Sequence, residues 1–113
     1  MSQITTHVLD TSLGRPAAGV GIVLERHETD GWRKLGAGVT DTDGRLRTLL
    51  SEGHLLQTGT YRLTFDTRSY FSVSARSTFF PSVTLTFEVT RPSEHHHVPL
   101  LLSPFGYSTY RGS

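Results

Sequence analysis

Cysteine is missing from all 113 residues. Disulfides, thiol nucleophiles, zinc–thiolate centres and iron–sulfur clusters are thereby excluded. Lysine is nearly missing: Lys34 stands alone beside ten arginines, and ten acidic residues bring the formal net charge to +1. So small a surplus does not make a nucleic-acid surface, whose affinity rests on phosphate neutralisation. No apolar run approaches the roughly 18 residues of a membrane-spanning helix. The stretch Met1–Ile4 has no basic region followed by an apolar one, and Arg111-Gly112-Ser113 is no SKL-type peroxisomal address. The expectation is a soluble cytoplasmic protein with neither membrane nor nucleic acid as partner. Repeats, linkers and low-complexity segments are absent too. Residues 1–113 therefore read as a single domain, long enough for one core without staples.

What is present is a period of two. Val83, Leu85, Phe87 and Val89 alternate with Thr84, Thr86, Glu88 and Thr90; Tyr61, Leu63 and Phe65 alternate with Arg62 and Thr64. Ile4, Thr6 and Val8 alternate with Thr5, His7 and Leu9, and Val98, Leu100 and Leu102 alternate with His97, Pro99 and Leu101. Turn chemistry separates the runs, as in Gly14-Arg15-Pro16, Asp30-Gly31, Asp41-Thr42-Asp43-Gly44, Thr58-Gly59 and Ser103-Pro104-Phe105-Gly106. The pattern predicts about eight strands in an all-β antiparallel sandwich or barrel. They fall near Ile4–Leu9, Val20–Arg26, Trp32–Val39, Arg45–Leu50, Thr60–Asp66, Ser82–Arg91, His95–Leu102 and Tyr107–Arg111. One short helix fits Thr67–Ser77, with Asp66 or Thr67 as its N-cap, or else Ser51–Leu56.

Strand parity then sorts the polar groups. If Val8 faces the core, His7 faces out; if Val98 and Leu100 face in, His95 and His97 face out; if Leu46 faces in, Arg45 and Arg47 face out. A histidine in open water is a poor catalyst, because its hydrogen bonds are not fixed and its field is screened. Either these groups decorate a surface or a second subunit covers them. The aromatic, cationic and small polar tail Tyr107–Ser113 suits such a cover. A histidine base, an arginine to hold a planar polar substrate and oxyanion donors suffice for water to attack a reactive carbonyl. Other constellations are weaker. His95 and His97 with His7 would make a three-histidine zinc site, but no carboxylate pattern beyond Glu94 supports it. Asp41-Thr42-Asp43-Gly44 with Glu52 faintly resembles a calcium loop, yet its glycine falls two places early, and a hairpin turn is the better reading. Ser108 or Ser113 with His97 and Asp10 would make a Ser–His–Asp set, but there is no G-x-S-x-G elbow. His27 and His54, near turns, read as surface residues.

The same residues carry a resemblance. Thr6-His7-Val8-Leu9-Asp10 is followed closely by Gly14-Arg15-Pro16-Ala17, and later by Thr42-Asp43-Gly44-Arg45 and Phe79-Phe80-Pro81. Then come His97-Val98-Pro99-Leu100-Leu101-Leu102-Ser103-Pro104 and the closing Tyr107-Ser108-Thr109-Tyr110-Arg111-Gly112-Ser113. Together they resemble the transthyretin-like family, specifically its 5-hydroxyisourate hydrolase branch, from about Ile4 to the last residue. The terminal Tyr110-Arg111-Gly112-Ser113 is the most specific element. His96 departs from the pattern, since many relatives carry an aromatic residue there.

The resemblance implies a two-sheet antiparallel β-sandwich assembled as a homotetramer, a dimer of dimers, with active sites facing from one sheet into a channel between dimers. It implies a site of His7, Arg45, His97 and the tail Tyr110, Arg111, Gly112 and Ser113, with His7, Arg45, His97 and Ser113 in the chemistry. The implied reaction is hydrolytic opening of 5-hydroxyisourate, a product of urate oxidation. Arg45 would hold the flat substrate through paired hydrogen bonds, and His7 or His97 would activate water. Which histidine is base and which acid stays open. No cofactor or metal is expected. Three rivals remain beside it: a carrier for a small aromatic ligand, a three-histidine zinc hydrolase, and a structural sandwich that docks a larger protein.

Overall fold

Alternation decides the layers. Ile22, Leu24, Tyr61, Leu63, Phe65, Val83, Leu85 and Val89 turn one face of a four-stranded sheet into the core. Ile4, Val8, Leu46, Val98, Leu100 and Leu102 do the same for a five-stranded sheet packed against it. The computed structural model describes residues 2–113. Its elements are β1 (Ile4–Asp10), β2 (Arg15–Pro16), β3 (Gly21–Glu28), β4 (Gly31–Val39), β5 (Arg45–Leu46), β6 (Gly59–Phe65), α1 (Thr67–Val73), β7 (Val83–Val89), β8 (His96–Ser103) and β9 (Gly106–Thr109). One sheet has the order β4-β3-β6-β7; the other has β2-β1-β8-β9, with β5 also paired to β1. Lys34 is exposed on β4, an edge of the four-stranded sheet. Among the described residues no helix is long and apolar enough to cross a membrane.

The expected sandwich is there, with local differences that have physical reasons. All pairs are antiparallel except β1 with β8, which run parallel. Tight hairpins force antiparallel neighbours, but β1 and β8 are far apart in the chain and meet without that constraint. The expected strand Arg45–Leu50 stops at Leu46, because Leu49 and Leu50 are both buried and successive residues of a strand cannot face the same side. That segment instead lays the Leu49 carbonyl against Gly36, where a Cβ would sit 1.7 Å from its oxygen. The turn at Asp41–Gly44 is not a hairpin: it carries the chain from β4 in one sheet to β5 in the other. Strand Tyr107–Arg111 ends at Thr109, and a two-residue strand, β2, was not expected. Of the two helix positions, Thr67–Val73 is occupied and Ser51–Leu56 forms only a turn. Asp66 caps the helix by accepting from Ser69 N at 3.1 Å and Ser69 Oγ at 2.6 Å, and Phe71 anchors it in the core.

One polar knot ties this helix to β1. Asp10, fully buried at the end of β1, accepts from Ser12 Oγ at 2.6 Å, Tyr70 Oη at 2.7 Å and Arg76 Nη2 at 2.7 Å. Burial pushes the Asp10 carboxyl up, but hydrogen bonds from Arg76, Ser12 and Tyr70 and the Arg76 charge outweigh it and bring it down to about 2. A carboxylate lowered in the folded state adds stability above its ordinary value of 3.8, and that stability is lost as pH falls towards about 2. The shift corresponds to roughly 2–3 kcal/mol. Asp10→Asn, which removes one member of a buried pair, is expected to cost about 3 kcal/mol in urea unfolding at neutral pH. Its stability should also fall less steeply than that of the parent on acidification, a difference that parallel unfolding curves at acid and neutral pH will read.

Candidate active site

Three strands of the five-stranded sheet bring the expected polar groups together on its outer face. In register, β5 sets Arg45 opposite His7, and β8 sets His97 opposite Thr5. The turn before Arg45 is built to hold that arrangement. Asp41 Oδ1 accepts from the backbone N–H of Asp43 at 2.9 Å and of Arg45 at 3.0 Å. These donors, that of Arg45 foremost, hold the Asp41 carboxyl below its ordinary value. Its oxygen is thus committed to the turn, as the turn reading over the calcium loop requires. Gly44 has φ +74°, and a Cβ there would lie 2.3 Å from the Val8 carbonyl oxygen, so only glycine lets the turn press on β1. The turn thereby presents the Asp43 carbonyl to His7 Nε2 at 2.8 Å. A carbonyl has no proton, so Nε2 donates, and Nδ1 is the nitrogen of neutral His7 left free to accept.

His97 is half-buried. Burial, reinforced by the neighbouring His95, Arg45 and His7, lowers its pKa and favours the neutral ring. The C-terminal segment lies along it: Gly112 N donates to His97 O at 2.8 Å. A Cβ on Gly112 would stand 2.6 Å from His97 Cδ2, so glycine is needed for this approach. Ser113 then enters a cleft of about 140 Å³ with Thr5, Thr6, Arg45, Arg47 and His97.

The structure therefore joins Arg45, His97 and Ser113 in one cleft, sets His7 across from Arg45 and bridges Gly112 of the tail to His97. Tyr110 and Arg111 line no part of that cleft, although the space they border also reaches His97. They border a more apolar space of about 240 Å³ between β7 and β8, and Arg111 donates to Glu94 at 3.1 Å. His96 points into this same space; burial lowers its pKa, and its Nδ1 has no hydrogen-bond partner. Arg47 was read as outward-facing but not as a lining residue. Thr5 was missed altogether, although it shares strand parity with His7 and its hydroxyl lies 2.8 Å from His97 Nδ1 and 2.9 Å from His95 Nε2. Among the described residues no three histidine, aspartate or glutamate side chains form a group that could hold a metal ion. The Ser–His–Asp set does not form either, because Asp10 is buried in its knot with Arg76 and Tyr70.

Comparison with known proteins gives these positions a context. The model of the HIUase/Transthyretin family matches residues 4–112. The 5-hydroxyisourate hydrolase of Salmonella typhimurium is 46% identical over 110 residues, covering 97% of this chain and 80% of that protein. The solved structure of Klebsiella pneumoniae 5-hydroxyisourate hydrolase is 36% identical with a TM-score of 0.84, over 97% of this chain and 92% of that one. Sea bream transthyretin in complex with thyroxine is 31% identical with a TM-score of 0.89, over 98% and 95%. With the family model spanning nearly the whole sequence, the chain belongs to the HIUase/Transthyretin family.

Proposed function

We propose that the chain is a hydrolase that opens the ring of 5-hydroxyisourate in urate degradation, giving 2-oxo-4-hydroxy-4-carboxy-5-ureidoimidazoline. Fold alone does not choose between this and a carrier, since the thyroxine-bound transthyretin superposes at least as well as the Klebsiella hydrolase. The observation that carries the reading is the convergence of Arg45, His97 and Ser113 in one cleft, with His7 directly across from Arg45. A carrier of an apolar ligand has no use for that set.

In the proposed chemistry, the Arg45 guanidinium donates paired hydrogen bonds to the flat, carbonyl-rich substrate and favours the negative charge that grows on the attacked carbonyl. His97, kept neutral by its surroundings, takes a proton from water as the oxygen bonds to the carbonyl carbon. His7 and Ser113 orient the substrate and its water. Arg47 adds a second positive charge beside the cleft. No cofactor is part of this scheme. The cleft is shallow and open in one protomer, so we place it in a homotetramer, where a second dimer lids the outer face and excludes water. Tyr110 and Arg111 belong to the substrate side of that assembled channel. The enzyme would act in the cytoplasm.

Fresh 5-hydroxyisourate, generated in situ from urate and followed by ultraviolet absorbance, should decay faster with the protein than without it. His7→Ala, Arg45→Ala and His97→Ala should each lose roughly 10²–10⁴-fold in kcat/KM while keeping the parent's circular dichroism and elution volume. Near-normal turnover in any one removes that residue from the chemistry, and thyroxine-like binding without turnover would support the carrier instead. Because His97 acts in its neutral form and its pKa is lowered, log kcat/KM should stay level through neutral pH and fall only on the acid side of the ordinary histidine range.

A further inference from the structure

We propose that Thr5 and His95 form with His97 a hydroxyl-bridged proton wire, through which the proton taken from water is held at the rim of the site and then returned. The inference rests on the hydrolase reading above and extends it to Thr5, on the lining of the cleft, and His95, outside that lining. Its basis is one geometric fact. Thr5 Oγ1 lies 2.8 Å from His97 Nδ1 and 2.9 Å from His95 Nε2, so a single hydroxyl joins two imidazoles. Thr5 is 3% exposed, which leaves bulk water little access to replace it. The two rings are held nearly parallel, 21° apart, with centroids at 6.2 Å.

A hydroxyl has one proton to give. When it donates to His95 Nε2, its oxygen accepts from His97 Nδ1–H, and His97 Nε2 carries the lone pair that a base requires. The bond made by one ring nitrogen sets the protonation of the other. The wire therefore selects the tautomer in which His97 works.

Charge supplies the reason to use it. An imidazolium at His97 would be half-buried and would share its surroundings with Arg45 from β5, Arg47 just after it, His7 from β1 and His95 just before β8. His95 is exposed just before β8 begins, where water solvates a charged ring better. The steps balance. As the water oxygen bonds to the carbonyl carbon, its proton passes to His97 Nε2. The His97 Nδ1 proton passes to Thr5 Oγ1, and the Thr5 proton passes to His95 Nε2. When the ring carbon–nitrogen bond breaks and the carbonyl re-forms, His97 Nε2–H protonates the leaving nitrogen, and the two bridging protons step back. The sum is one water added across one carbon–nitrogen bond, with every side chain restored.

The test uses the full chain and three variants: Thr5→Val, which keeps the shape and removes the hydroxyl, Thr5→Ser, which restores it, and the exposed His95→Ala. Turnover of in-situ 5-hydroxyisourate and the ¹⁵N spectrum of His97 are read together. Thr5→Val should lower kcat by at least about tenfold with little change in KM, a partial loss beside that of the base itself. Its His97 should shift from the Nδ1–H towards the Nε2–H tautomer, and Thr5→Ser should restore both readouts. His95→Ala should lose kcat and regain it as imidazole is added to the buffer. An active parent whose Thr5→Val variant matches it in kcat and tautomer overturns the wire alone, as does His95→Ala with unchanged kcat. A parent that fails to turn over the substrate overturns the hydrolase reading, and the wire with it.

Discussion

The parallel register of β1 on β8 governs the rest of the molecule. It sets Thr5 against His97 and His7 against Pro99 on the outer face, while Ile4, Val8, Val98 and Leu100 fill the core behind them. A slip of one residue would turn the hydrophobic set outward and the imidazoles inward, so the cost of exposing the core also fixes the geometry of the polar face. Burial, a non-directional force, thus orients groups whose chemistry is directional. The second strand paired with β1 works in the same way: Leu46 is buried opposite Thr6, and Arg45 is therefore held outward opposite His7.

Electrostatics divides the charged groups between two tasks. Asp10 and Arg76 form an ion pair with Tyr70 and Ser12 around it, and this pair fastens α1 to the end of β1. It lies behind the sheet and has no part in the outer face. On that face Arg45 and Arg47 line the cleft with His97, and no aspartate or glutamate is among the lining; the nearby Asp41 carboxyl is committed to its turn. Such a set draws a substrate rich in carbonyl oxygen, and its Arg45 adds to burial, the larger cause, in disfavouring a charged His97.

Much of this was legible in the residues, because strand parity needs no long-range information. Alternation around Val8, Leu46 and Val98 was enough to turn His7, Arg45 and His97 to the same side, and the family motifs named the same three. The parallel pairing of β1 with β8 was not legible, since alternation says which face a residue takes but not which strand lies beside it or in what direction. Leu49 and Leu50 misled for a related reason: apolar residues in succession are compatible with strand propensity until the core claims both. Thr5 was hidden in plain alternation, one polar residue among many, and acquires meaning only from two histidines some ninety positions later. Tyr110 and Arg111 came with the terminal motif as a unit, but they border the space beside β7 while Ser113 lies in the cleft.

The placement of Lys34 has a practical side. It is the sole lysine in the sequence, and it stands exposed on β4, in the sheet that contributes nothing to the cleft. Apart from the chain's amino terminus, amine-directed coupling reagents meet one side chain on the molecule. A resin, dye or surface attached there would join each copy through the sheet that carries no part of the cleft.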